Sequence, residues 1–489
     1  MYAGAGFSDW EIGDIDVFIE GDVYHLFHLI IPNHDYIAHA ISHDGISWKR
    51  VKNALFVGDP GSWDDDMLWT MHTVKVNGHY HQYYTGLRLR DRGITQKIGL
   101  ASSSDLYTWE KQNTGIFPLS SRGPFYEDVE NMPRKWLSFR DPFFYEENGR
   151  SFLLVCARAA HGPFSRRGCI ALLELEESGI KYHPPILYPR MYDDVECPCV
   201  FKLDGNYYLI GSIREDVKVR YWFSDQLMGE YHCFHSDVLL PQGNYAARVV
   251  KDNGHFLIYN FYYTDNQVNS KRVLPPPKQL VTDDRGRLAL VSFYRWEKMV
   301  EYELLQNNFP EARVFFGNHT ASLEIKRDRW NMRSRSGYEL FYFQSPSTSF
   351  IWEGTIALVG LGKCGLLCDM DDQGNGYFIP FDVVNGVVKI RTWGSNPENV
   401  KQDFIFSDLQ SNLFPVPANG IFSFRLIRCG NYIELSIDGV IRLSLMDYMF
   451  SAAGLGLYSA SSEIVLTESK WKCLPDPKEE YASQEDPII

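Results

Sequence analysis

Asp141, in Phe139-Arg140-Asp141-Pro142, and Glu196, in Glu196-Cys197-Pro198, lie 55 residues apart and occupy one position of a repeated unit. Two carboxylates converging on one pocket can divide acid–base work. Like charge and partial burial would keep one protonated near neutrality, while Arg140 or backbone donors could hold another ionised. This division suits cleavage of a glycosidic bond, which needs a proton donor at the leaving oxygen and an anion at an oxocarbenium-like carbon. Asp14 belongs to the same set. Asp14-Ile15-Asp16 places two carboxylates on one strand face, and of these Asp14 is favoured as the catalytic member and Asp16 as its support. Taken singly, any of these acids would be read as a turn cap or surface ion pair. Their shared station in the repeat sets them apart.

The repeat that must position them is a turn glycine preceding an aromatic-rich strand. It occurs at Gly21, at Asn77-Gly78, at Asn148-Gly149, at Asp204-Gly205 and at Asn253-Gly254, with intervals of 57, 71, 56 and 49 residues. Asn-Gly and Asp-Gly between apolar runs are hairpin signals, because a type I′ turn needs positive φ at both central residues. Further strand-like stretches follow each hairpin, such as Tyr36 to Ser42 and Lys97 to Ser102, so each unit holds about four strands. Five all-β units of this size predict a five-bladed β-propeller. An irregular β-sandwich with chance hairpins is the alternative.

In a propeller the innermost strand of each blade lines the axis, and here that strand precedes the turn. Asp14 lies seven residues before Gly21, Asp141 eight before Gly149 and Glu196 nine before Gly205. The other two blades carry Trp69 and Tyr245, each nine before its glycine, as apolar or stacking surface for a sugar ring. Asp193-Asp194, just before Glu196, could reach sugar hydroxyls from the rim. His72 could hydrogen-bond substrate or serve as a structural histidine. Asp64-Asp65-Asp66 lacks the ligand spacing of a calcium loop and reads as a solvated turn.

The propeller is assigned to residues 1–300 and a linker to 301–320, with the connecting piece starting near Trp296. From 321 to 474, alternating stretches such as Tyr338 to Phe343, Val387 to Thr392 and Tyr432 to Gly439 read as antiparallel strands with one wet face. A jelly-roll, lectin-like β-sandwich is expected, serving as packing support or binding sugars. Residues 475–489 are rich in acids and are expected to be a disordered tail.

The chain has 489 residues, 45% of them hydrophobic and 15% aromatic, and a net charge of −14. That length supports two domains, and the acidic balance argues against a nucleic-acid partner, which requires a basic surface. No apolar run approaches a membrane span and no secretory signal is visible. Nine cysteines without framework spacing suit reduced, buried thiols, so a cytoplasmic protein is expected. Cys197-x-Cys199 and Cys364-x-x-x-Cys368 lack the second pair or histidines a zinc site needs.

At its acidic motifs the chain resembles glycoside hydrolase family 32, the β-fructofuranosidases, whose fold is a five-bladed propeller followed by a β-sandwich. Phe139-Arg140-Asp141-Pro142 looks like that family's Arg-Asp-Pro motif, which implies Asp141 as transition-state stabiliser. Glu196-Cys197-Pro198 looks like its Glu-Cys motif, which implies Glu196 as acid/base. Asp14 is the counterpart of the nucleophile, although Trp10-Glu11-Ile12-Gly13-Asp14-Ile15-Asp16 departs from the family's Trp-Met-Asn-Asp-Pro-Asn-Gly. Trp69-Thr70-Met71-His72 likewise replaces Phe-Ser-Gly-Ser. Asp14-Ile15-Asp16-Val17 also resembles glycoside hydrolase family 43, whose propellers act on arabinosides and xylosides by inversion.

The resemblance implies hydrolysis of terminal β-fructofuranosidic bonds in sucrose or fructans by retention. Trp10, Asp16, Trp69, His72, Arg140, Asp194 and Tyr245 are then expected around the sugar, with no metal or organic cofactor and no partner beyond an oligo- or polysaccharide substrate. The alternatives are a furanosidase on arabinose- or xylose-containing glycans, a fructosyl-transferring enzyme and a carbohydrate-binding propeller without catalysis.

Overall fold

The computed structural model describes residues 2–4, 11–113, 115–131, 133–263, 272–360, 362–395, 405–477 and 479–480, and its chain divides into two compact units, 1–289 with 478–489 and 290–477. In the first unit, five sheets follow one another: the first has six strands, two of them the short Leu55–Phe56 and Glu479–Glu480, and the other four are antiparallel sheets of four consecutive strands. The innermost strands are Glu11–Glu20, Met67–Val76, Phe139–Glu147, Glu196–Leu203 and Asn244–Asp252. This is the five-bladed propeller expected from the repeat.

The turns explain why the hairpins form. In blades two to five a two-residue loop joins the first two strands, and both loop residues have positive φ, as at Asn148 (53°) and Gly149 (72°). Asparagine, aspartate and glycine tolerate that conformation where other residues strain. Blade one differs in using Gly21-Asp22, with Gly21 alone at positive φ.

Side chains then pack blade on blade. Tyr83 of the second blade stacks on Phe144 of the third with ring planes 8° apart, within a buried cluster that includes Ile98, Phe139, Leu153 and Leu173. Each such fully buried large side chain contributes roughly 1.5–3 kcal/mol. The ring closes between the last blade and the first. Tyr2 bridges to Leu274, its hydroxyl meets His28 Nε2 at 2.8 Å, and the Tyr24 hydroxyl donates to Asp252.

Every innermost strand is interrupted at one place. The pairing register slips between Ile12 and Ile15, Trp69 and Met71, Arg140 and Phe143, Glu196 and Cys199, and Tyr245 and Arg248. Each slip is a β-bulge, one extra residue that kinks the strand and re-aims its side chains. Asp141, Cys197 and Ala246 take positive φ there, at 60°, 49° and 51°. Prolines 142 and 198 follow two of these residues, where a missing N–H is tolerated because the ladder is broken.

The second unit is one antiparallel sheet folded into a sandwich. A twenty-residue strand, Gly454–Cys473, pairs with Arg329–Gln344, Phe350–Val359 and Lys363–Met370. The ends of the sheet, Ile405–Leu413 and Val440–Met446, approach each other, with the Gln410 amide bonded to both backbone groups of Ser444 at 2.9 and 2.7 Å. The stretch 301–320, expected as a linker, belongs to this sheet. Tyr302–Leu305 pairs with the twenty-residue strand and Arg313–Val314 with Arg329–Gln344, which moves the start of the unit to Leu290. Of the expected tail, Asp476 accepts bonds from Thr348 and Ser349, and Glu479–Glu480 lies parallel to Trp48 and Lys49. All nine cysteines are free, and only Cys233 among them is exposed.

Candidate active site

The bulges bring the three expected acids to one place. Asp14 and Asp141 lie within two bulges, and Glu196 stands immediately before a third. This accounts for their counts of seven, eight and nine residues from the turn glycines. A regular strand would send side chains at successive positions to opposite faces, whereas a bulge redirects its neighbours. Oxygens of Asp14 and Asp141 and the sulfur of Cys197 all lie within 4.8 Å of one another. Asp14 is half-buried and Asp141 is 2% exposed.

Each acid has its own donors. The Thr70 hydroxyl donates to Asp14 Oδ2. The Cys197 backbone N–H donates to Asp141 Oδ2 at 3.0 Å, and the Arg140 Nε lies 3.7 Å from the same oxygen. Glu196 is clasped from both sides, accepting from the Arg140 guanidinium at Oε1 and from the Tyr245 hydroxyl at Oε2. Arg140, Glu196 and Tyr245 hold the same position, nine residues before the glycine, in blades three, four and five.

Burial pushes the Asp14 carboxyl above the usual aspartate range, and the Glu196 charge adds to this against the Thr70 bond. Asp141 is raised by burial and by the Asp14 charge, opposed by Arg140. Low-dielectric surroundings penalise every carboxylate added to such a cluster. Burial raises the Tyr245 hydroxyl well above its ordinary value, and Glu196 raises it further, so it stays a donor. Among the described residues, Asp14, Asp141 and Cys197 stand close enough to close on a cation, and burial raises the Cys197 thiol well above its ordinary value.

The remaining expected residues separate into two groups. Trp69 and Arg140 line the cavity that reaches Glu196. Asp16 and His72 instead bond each other at 3.1 Å. Asp16 is 1% exposed and also accepts the Thr73 N–H at 2.6 Å, and the His72 ring stacks on Phe143 at 4.2 Å. The pair ties the inner strands of blades one, two and three together. Asp194, expected at the rim, is also 1% exposed. It accepts from Arg140 at 3.0 Å, Arg158 at 3.1 Å and Ser138 at 3.0 Å. Burial alone would raise it, but the two arginines hold it below the usual range. Asp194 therefore acts through Arg140. Tyr245, expected to offer ring surface to a sugar, also gives its hydroxyl to Glu196. Trp10 lies outside the described residues. The triplet Asp64-Asp65-Asp66 holds a loop: Asp64 is buried against Lys111 at 2.6 Å and Tyr84 at 3.0 Å, and Asp65 accepts the Gly61 and Leu89 N–H groups.

Sequence reasoning missed Thr70, Trp136, Arg158 and Arg248. Arg158 lies over the Trp136 ring at 4.0 Å, and Arg248 donates to the Pro198 carbonyl at 2.9 Å. Thr70 alone carried a signal, since it lies eight residues before Gly78, the station Asp141 occupies before Gly149.

Three acids presented from three blades around an axis, one of them clasped by a cation and a phenol, define a propeller glycosidase. A model of the glycosyl hydrolases family 43 matches residues 12–267, more than half of the chain, and the chain belongs to that family. The solved structures it is similar to include fructan 1-exohydrolase IIa from Cichorium intybus, in complex with 1-kestose. That likeness has a TM-score of 0.71 and 14% identity and covers 96% of each chain. The GH32 beta-fructofuranosidase of Bombyx mori has a TM-score of 0.64 and 15% identity, over 96% of this chain and 92% of that one. At such identities the likeness is one of fold. A levanase of Bacillus sp. (strain L7) is 33% identical over 151 residues, which is 28% of this chain and 15% of the levanase. The expected relation to family 43 is thus met by a family match, and the expected five-bladed propeller with a β-sandwich by likeness of fold over the whole chain.

Proposed function

We propose that this glycosidase cleaves terminal β-fructofuranosidic bonds in sucrose or fructans with retention, as family 32 enzymes do. Asp14 attacks the anomeric carbon, Glu196 protonates the leaving oxygen and later takes a proton from water, and Asp141 with Arg140 binds hydroxyls of the sugar. The observation that carries the reading is the clasp on Glu196. A carboxyl held at both oxygens, by Arg140 and Tyr245, is oriented toward the cavity it borders while Asp14 is oriented separately by Thr70. Two independently positioned carboxyls are what cleavage of a glycosidic bond requires, by retention or by inversion. The levanase stretch and the fructan- and sucrose-type neighbours favour fructose as the glycosyl unit.

The family 43 match favours a second reading, an inverting furanosidase on arabinose- or xylose-containing glycans, in which one carboxylate activates water instead of attacking carbon. Incubation with sucrose, inulin, levan oligosaccharides and arabino-oligosaccharides, following the first anomer released by NMR, separates the two. β-Fructose from the fructosides is expected. Inverted arabinose would replace the first reading with the second.

A further inference from the structure

The sandwich unit has a cavity of its own, about 420 Å³, within the roughly 300–1,000 Å³ usual for small-ligand sites. Every residue lining it belongs to 290–477. It opens on the wetter side of the sheet. Along Val387–Gly394 the alternate residues Lys389, Arg391 and Trp393 line it, while Val388, Ile390 and Thr392 between them are buried on the opposite face.

The wetter side of an antiparallel sheet is ordinarily polar, yet this one carries a row of rings. Phe406 meets Trp393 edge-on at 4.9 Å, Trp393 meets Phe378 at 4.9 Å and Phe378 meets Tyr458 at 5.4 Å. Phe378 and Tyr458 are 4% exposed and form the floor, whereas Trp393 is half-buried and Phe406 is 53% exposed. Arg391 lies over the Phe406 ring at 4.5 Å. Rings held this way have little freedom left to lose when a ligand stacks on them.

The charges around the rings neutralise one another. Asp408 pairs with Arg391 at 2.7 Å and with Lys389 at 3.3 Å. The Asn385 side chain and backbone N–H groups hold the Asp382 carboxyl below the usual range, and Lys389 adds to this. A groove of flat rings among paired charges suits a neutral ligand with apolar faces and many hydroxyls better than an anion. A hydroxyl can donate to Asp382 and accept from Lys389 or Arg391, and the C–H face of a sugar ring fits the negative face of an aromatic one.

We infer that the sandwich binds a neutral glycan chain in this groove, with Trp393 and Phe406 stacking on sugar rings and Asp382, Lys389 and Arg391 bonding their hydroxyls. The site uses none of the propeller's acids, so it stands apart from the roles proposed for them.

The test is affinity electrophoresis of the whole chain carrying Asp14→Asn, so that no polymer is consumed, in native gels containing inulin, levan, arabinan or arabinoxylan. At least one polymer should retard the chain, and the one that does identifies the sugar. Adding Trp393→Ala or Phe406→Ala should raise the apparent Kd about tenfold, as loss of an aromatic anchor does, and added salt should leave retention unchanged because the ligand is neutral. Phe406 is exposed, so its variant decides the matter if Trp393→Ala lowers the melting midpoint. The same two substitutions without Asp14→Asn should leave kcat/KM on sucrose or another short substrate as it was. Because the gel reads binding alone, its outcome is independent of which glycoside the propeller cleaves. Weakened retention in Phe406→Ala supports the inference. Retention by none of the four polymers, retention that survives in both variants, or retention only by heparin and abolished by salt overturns it.

Discussion

Arg140 and Glu196 occupy the same position in adjacent blades, nine residues before their turn glycines, and the guanidinium of one donates to the carboxylate of the other. Tyr245 repeats the position in the next blade and donates to the second oxygen. The acid/base candidate is thus oriented by its own structural equivalents on either side, through bonds that exist only when blades three, four and five are packed together.

Glu196→Gln keeps the shape and can still accept from Arg140 at its amide oxygen, but its NH2 can only donate toward Tyr245, and it can neither give nor take the proton. Hydrolysis should fall roughly 10²–10⁴-fold, the usual contribution of a general acid–base group, with cooperative thermal unfolding retained. Reducing-sugar release beside a circular-dichroism melt checks this, and turnover equal to that of the unaltered chain would remove Glu196 from its role.

Arg140→Leu should be costly to the fold. Arg140 is 4% exposed and faces Asp141, Asp194 and Glu196, so its loss leaves buried carboxylates without their cation. Stability should drop by about 3–5 kcal/mol, read as an earlier midpoint in urea. A midpoint like that of the unaltered protein would mean Arg158 alone compensates Asp194.

Asp14→Asn should abolish activity yet stabilise the protein at neutral pH. The folded-state Asp14 is raised above its ordinary 3.8, so the folded chain holds the proton more tightly than the unfolded chain. Its charge therefore costs stability at any pH above the folded value, and the cost vanishes below 3.8, where both states are protonated. The gain from asparagine should grow as pH rises from 3.8 through the folded value. Chemical denaturation of both proteins across that range measures it, and a gain constant with pH would contradict the raised value.

Thr70→Val removes the hydroxyl that stabilises ionised Asp14. With that donor gone, Asp14 should deprotonate at higher pH, moving the acid limb of kcat/KM upward. A pH profile checks the direction, and a limb that stays in place would assign it to another group.

Gly13→Ala tests the first bulge. A Cβ there would lie 2.8 Å from the Leu29 Cβ and 3.1 Å from Ile31 Cδ1, so the strand carrying Asp14 must shift. The expected cost is about 1–3 kcal/mol together with a lower kcat, and a variant that loses stability without losing kcat would show that Asp14 tolerates the displacement.

Much of this protein is local in origin and could be read in one dimension. Asn-Gly and Asp-Gly pairs dictate two-residue hairpins because their φ demands are intrinsic to those residues, and four such turns, with Gly21-Asp22 in blade one, impose a propeller by their spacing. The acids Asp14, Asp141 and Glu196 stood out because the repeat gave them a common station. What the sequence did not carry is the direction in which neighbouring side chains point. No residue type encodes the one-residue slip in each inner strand. It decides that Asp141 and Glu196 both meet Arg140 although their counts from the turn differ. Partners across blades are equally non-local. Asp194 was expected at a rim and is instead buried between Arg140 and Arg158, 54 and 36 residues away in sequence. Tyr245 gives Glu196 a hydroxyl across two blades. The chain by itself determined the turns, the strands and the set of acids, since these follow from each residue's own conformational and chemical preferences. Only tertiary packing decided which acid faces which donor, since those bonds exist between blades and have no counterpart within one.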